Sequence, residues 1–166
     1  LGLGYLGIDM DQALAWSREA IDRGRAQGST WALGFSLTID GILHSVSGDT
    51  ATAASRYDEA LAIQRSLDDR EGAGLSLSGL AQLASMGGDL AKATDLYRRS
   101  LAAFEAIGDR AEEARILSGM AWTHLSANDP VAARRSFLDS VQAYDDVGSV
   151  RGIGTSMIGL AAVEAL

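Results

Sequence analysis

Apolar residues along this chain follow helical spacing, three or four apart, in alanine-rich amphipathic runs broken about every 20 residues by a short polar link. Each link ends in Asp or Ser, whose side chain can accept a hydrogen bond from an otherwise unpaired N–H of a first helical turn. Helices are therefore predicted to start after Asp9, Ser29, Asp49, Asp69, Asp89, Asp109, Asp129 and Ser149. Pro130 follows Asp129, where a missing N–H costs nothing. Glu112, three residues past Asp109, has the spacing of a capping box. Glycine or small polar residues in the links stop each helix, and period-2 alternation of β-branched residues is essentially missing, so no strand is predicted.

The links themselves repeat. Gly48-Asp49 returns as Gly88-Asp89 and as Asn128-Asp129, and Ile8-Asp9 falls on the same 40-residue grid. Four residues beyond each of these aspartates stands an alanine (Ala13, Ala53, Ala93, Ala133), and eight beyond three of them an aromatic (Tyr57, Tyr97, Phe137). A period of this length, holding two helices, marks an α-solenoid of stacked antiparallel helix pairs. Asp9, Asp49, Asp89 and Asp129 open the second helix of a pair, and Ser29, Asp69, Asp109 and Ser149 the first helix of the next. Gly41, Ala81 and Ala121 recur where the first helix crosses the second, opposite Ala53, Ala93 and Ala133, so the two backbones can approach closely. Tyr57, Tyr97 and Phe137 would fill the space toward the following pair.

In this register the residues resemble the tetratricopeptide repeat (TPR) family. Its pattern of a leucine then a small residue in the first helix, and small, aromatic, small in the second, appears as Leu80-Ala81, Ala93, Tyr97, Ser100 and as Met120-Ala121, Ala133, Phe137, Ser140. Gly41, Ala53, Tyr57 and Ala60 repeat it with one departure, and the period is longer than the family's usual ~34 residues. Ala106-Ile107-Gly108-Asp109-Arg110 and Gly159-Leu160-Ala161-Ala162 are also similar to helical arrays near the C-terminus of large bacterial LuxR-like regulators. The resemblance covers nearly all of residues 1–166 as one repeat domain of about four pairs, cut from something longer. It implies a right-handed superhelix whose first helices line a concave groove for peptides or protein segments. Helical spacing then assigns to that groove Phe35, Thr38, Ile42 and Ser45; Leu75, Ser78, Gln82 and Ser85; and Arg115, Ser118, Trp122 and Leu125. Trp122 is the predicted anchor, because large rigid aromatics dominate binding energy.

Composition narrows the partners. A net charge of −8 and a pI near 4.6 would repel a phosphate backbone, so direct nucleic-acid binding is not expected. Cysteine is absent, which removes disulfides, thiolate metal sites and thiol nucleophiles and suits a cytoplasmic setting. No apolar run has the length of a membrane span. Residues 152–166 read as a first helix lacking its following partner, which would leave Met157, Leu160 and Val163 short of cover and open to self-association.

Catalytic constellations are not found. Gly2-Leu3-Gly4-Tyr5-Leu6-Gly7 spells a dinucleotide fingerprint, but no strand precedes it, and on the grid it aligns with the tail of a first helix. His44 and His124 lie two pairs apart, too far for one metal, and no Walker loop or GxSxG elbow occurs. Arg98-Arg99 and Arg134-Arg135 sit among acids as a solvated face. Asp40 is the anomaly: its slot holds Leu80, Met120 and Leu160 elsewhere. A buried carboxylate needs a partner, and His44 one turn on, a hydroxyl such as that of Tyr57, or a local rotation placing Ile39 and Leu43 over the core would meet that need. A structural pair is expected rather than a proton-transfer dyad. The sequence thus predicts a non-catalytic interaction module without cofactor or metal, holding a protein, a peptide or another domain of its own polypeptide; the alternative is a small-molecule sensor in a multidomain regulator.

Overall fold

The computed structural model describes residues 9–165. Eight α-helices follow one another: α1 Met10–Gln27, α2 Thr30–Ser47, α3 Thr50–Ser66, α4 Arg70–Met86, α5 Leu90–Ile107, α6 Arg110–Ser126, α7 Pro130–Asp146 and α8 Val150–Glu164. No strand occurs among the described residues. The Gly2–Gly7 fingerprint lies outside them.

The links share one backbone device. A residue in the left-handed region recurs every 20 positions, at Gly28, Gly48, Asp68, Gly88, Gly108, Asn128 and Gly148. The next residue donates its N–H to the carbonyl five positions back, one more than the helical four, as in Asp49 N to His44 O (2.9 Å) and Asp109 N to Phe104 O (3.1 Å), which closes the preceding helix with a Schellman turn. That same residue then caps the next helix. Asp49, Asp69, Asp89, Asp109 and Asp129 each accept from the N–H three residues on, at 2.9–3.1 Å. Ser149 accepts from Gly152 N at 3.3 Å, and Asp9 from Asp11 N and Gln12 N. Ser29 occupies the position without a side-chain bond. The capping box at Asp109 is only half formed, because the Glu112 carboxylate is taken by Arg115 Nε at 2.8 Å.

The chain divides into two compact units, residues 1–79 and 80–166. In the first, α2 packs against both α1 and α3. Ile21, Leu37 and Ala60 are buried together, with Leu33 and Ile63 against them. Tyr57 is buried over two glycines: a Cβ on Gly41 would stand 2.8 Å from its ring, and one on Gly79 would also strike it. In the second unit α6 packs on α5 and α7, and α8 on α7 and α6. Phe137 is buried with Ala121, Ala133, Leu160 and Val163, and its ring lies against Gly159 as Tyr97 lies against Gly119. The small residues predicted at the helix crossings, Gly41, Ala81 and Ala121 with Ala53, Ala93 and Ala133, are all buried. Sequence reasoning did not pair Gly79, Gly119 and Gly159 with Tyr57, Tyr97 and Phe137, whose rings they seat.

The end of the chain differs from expectation. Leu160 and Val163 are buried because α8 turns that face onto α6 and α7. Met157 is exposed, beside Val150 and Ile158.

Candidate interaction face

Local sequence makes α2 unlike the other helices. It contains no Lys, Arg or Glu; its two titratable side chains are Asp40, buried, and His44, nearly so. Trp31, Phe35, Ile39, Ile42 and Val46, at spacings of four, four, three and four, therefore fall on one side, with exposures from 38% at Ile39 to 60% at Trp31. The Trp31 and Phe35 rings stack with centroids 5.6 Å apart and planes 9° from parallel. Beside them, between α2 and the start of α4, opens a pocket of about 70 Å³ whose polar lining includes Asp69 and Glu71.

Beneath this face the first unit carries a group of buried polar side chains. Gln64, in the slot that holds Phe104 in the second unit, is buried with Thr38 and Ser76. Its amide lies 2.9 Å from Thr38 Oγ1 and 2.8 Å from Ser76 Oγ; with its NH2 toward the carbonyls of Ala60 and Gly72, 3.1 Å away, every partner is matched. Asp40 is wholly buried, bonded to Ser17 Oγ at 2.7 Å and Arg56 Nε at 2.8 Å. His44 Nε2 stands 3.6 Å from Asp40 and its Nδ1 3.4 Å from Asp49. The expected His44 pairing is thus the looser contact. Ser17, from α1, supplies the hydroxyl, and no local rotation has moved Asp40 outward. Hydrogen bonds from Thr52, with His44 adding a smaller effect, hold the Asp49 carboxyl below its ordinary value.

The predicted groove residues divide by exposure. In the first unit Phe35 and Ile42 are exposed and Leu75 is half-buried, whereas Thr38 and Ser78 are buried. In the second Gln82 and Arg115 are exposed, Trp122 is 39% exposed and Ser118 is buried. Thr38, Ser78 and Ser118 are thus largely covered, although Thr38 contributes to the lining of the small pocket beside Phe35. Thr38 bonds to Gly34 O and Ser76, and Ser78 to Leu75 O, so these small polar groups are satisfied inside. Trp122 sets its edge on the Phe137 ring, centroids 5.2 Å apart and planes at 85°, while keeping part of its surface free. Arg115 is tied to Glu112 through Nε and a terminal nitrogen. Burial pushes the Tyr97 phenol up, against a smaller opposing effect of Arg115. Trp31, Ile39 and Val46 were not assigned from sequence, although their spacing with Phe35 and Ile42 was the available signal.

Among the described residues no group of three or more His, Cys, Asp or Glu side chains could hold a metal ion, and no helix is long and apolar enough to cross a membrane. The tetratricopeptide repeat profile matches residues 41–106 and 88–146, more than half of the chain. The chain belongs to the tetratricopeptide repeat family. Two solved structures share the fold. The BtubC (BKLC) crystal structure from P. vanneervenii superposes with a TM-score of 0.78 at 18% identity, covering 94% of this chain; this chain spans 66% of that one. A Podosopora anserina chain of nearly identical TPR-like repeats gives a TM-score of 0.54 at 13% identity, covering 94% of this chain and 95% of that one. No curated protein matches the sequence. The fold is an all-α TPR-like solenoid of helix pairs, a class whose repeats generally mediate protein–protein contacts as non-catalytic scaffolds.

Proposed function

We propose that this TPR array is a non-catalytic interaction module that holds a peptide, a partner helix or a neighbouring domain on the exposed faces of its first helices. The observation that carries the reading is the apolar face of α2, unbroken over five side chains with a stacked aromatic pair at one end. Contiguous exposed apolar surface of this kind marks an interaction site, and large aromatics there dominate binding. Phe35 and Ile42, with the half-buried Leu75 that lines the same pocket as Phe35, and separately Gln82, Arg115 and Trp122, are the binding residues of this reading. The LuxR-like phrasing supports an arm of a larger regulatory protein acting in the cytoplasm.

A pull-down from source-cell lysate, read by mass spectrometry, tests this. The native chain is compared with Trp31→Ala/Phe35→Ala and with Gln82→Ala/Trp122→Ala. A protein retained by the native chain and lost from either variant at unchanged melting temperature supports the module. No protein difference, together with a small molecule that raises the melting temperature, would replace it with the sensor reading.

A further inference from the structure

We infer that the α2 face takes a basic amphipathic helix, one Lys or Arg of which enters the pocket formed by Trp31, Phe35, Asp69 and Glu71. This rests on the interaction reading above and names the chemistry of its partner.

The apolar half of the argument is geometric. Trp31, Phe35, Ile39, Ile42 and Val46 run along one straight helix for about 22 Å, at the rise of ~1.5 Å per residue. A second helix laid alongside would meet them with apolar residues of its own at the alternating three-and-four spacing. An extended segment would meet side chains on one edge only and leave much of the stripe wet.

The charged half comes from what surrounds the aromatic end. The stacked residues Trp31 and Phe35 line the pocket together with two acidic residues, Asp69 and Glu71. Asp69 Oδ1 is committed to the cap of α4 through Gly72 N, at 2.9 Å. Glu71 is exposed, and among the described residues it makes no ion pair. Arg70, between these acids in sequence, does not line the pocket and lies 3.8 Å from Asp68. Aromatic faces and carboxylates both favour a cation, and the pocket, about 70 Å³, has the scale of one side-chain head group. An anion would meet two negative groups there and a net charge of −8 over the whole chain.

The test uses the full chain and three synthetic 18-residue helical peptides with the same leucine face. They carry Lys, Gln or Glu at both ends of that face, so either orientation presents one to the pocket. Affinity is read by fluorescence anisotropy at low and high salt. The expected order is Lys above Gln above Glu, with the Lys preference shrinking as salt rises. Asp69→Asn/Glu71→Gln, which keeps a competent cap at 69, should weaken the Lys peptide about fivefold and leave the Gln peptide unchanged. Trp31→Ala/Phe35→Ala should weaken all three at least tenfold, with a melting temperature near that of the native chain because both rings are exposed. Equal binding of the three peptides would overturn the cation pocket while leaving the interaction module standing. Binding that survives Trp31→Ala/Phe35→Ala but falls with Trp122→Ala would place the helix elsewhere. No binding by any peptide, or dimerisation of the chain through α2 shown by light scattering, would overturn the inference outright.

Discussion

Two glycines of α8, five residues apart, should respond in opposite directions to the same substitution. Gly154 is exposed, and a Cβ added there meets nothing within 4 Å. Gly154→Ala therefore gains only helix propensity, about 0.5–1 kcal/mol, which for a chain of this size raises the melting temperature by about 1–4 °C. At Gly159 the added Cβ would stand 2.8 Å from Phe137 Cδ1 and closer still to Cε1 and Cζ. Ordinary contact begins near 3.4 Å, and the ring cannot retreat because Phe137 is fully buried against Ala121, Ala133, Leu160 and Val163. Overpacking costs about 1–3 kcal/mol even after the propensity gain, a fall of about 2–12 °C. Circular dichroism on thermal and urea melts measures both variants, with the double mutant Gly159→Ala/Phe137→Leu recovering part of the loss by making room. A Gly159→Ala chain at or above the native melting temperature would refute the claim that these glycines exist to seat rings.

Four further outcomes are expected. Arg56→Ala strands the buried Asp40 carboxylate and should cost about 2–3 kcal/mol in urea melts, whereas Asp40→Leu, which installs the residue type of Leu80 and Leu160, should stay within about 1 kcal/mol of native. Ala93 is fully buried, so Ala93→Leu should lower stability by about 1–3 kcal/mol, and an unchanged melting temperature would count against the assigned helix crossing. Asp68 holds φ 54° where five other links use glycine; Asp68→Gly should raise stability by about 0.5–1 kcal/mol in the same melts. The Asp49 and Asp146 carboxyls sit below their ordinary values, the first through Thr52 and the second through Gln142 and then Arg110. Their contribution is present above the ordinary carboxylate range and lost as pH falls through the depressed values, so the melting temperature should drop on acidification, and Asp49→Asn/Asp146→Asn should flatten that drop.

Helix boundaries were legible because each is written twice, once by the link that stops one helix and once by the Asp or Ser that opens the next. Asp49, Asp89 and Asp129 cap helices as their spacing implied. Phe35, Ile42, Gln82 and Arg115 are exposed where helical spacing placed them, whereas Thr38 and Ser78 look like surface residues by type but their hydroxyls bond inside. Nothing local distinguishes a serine that faces water from one that faces a carbonyl. Asp40 announced itself as an anomaly, yet its strongest partners come from residues 23 before and 16 after it, on two other helices. Periodicity along one helix cannot identify those.

The departures in the first unit form one connected set. Where Tyr57 and Phe137 press on Gly79 and Gly159, the equivalent aromatic slot holds Ser17 and the equivalent glycine slot holds Ile39. Without a ring at 17 there is nothing for residue 39 to clear, and an isoleucine fits. Losing the ring also removes apolar cover from slot 40, and Asp40 with Ser17 and Arg56 fills that volume with a closed polar group. The consequence appears on the other side of α2. Glycine at 79, 119 and 159 would interrupt an apolar stripe, whereas Ile39 joins Phe35 to Ile42. The unbroken face on which the interaction reading depends is thus the outward expression of a change in the packing beneath it.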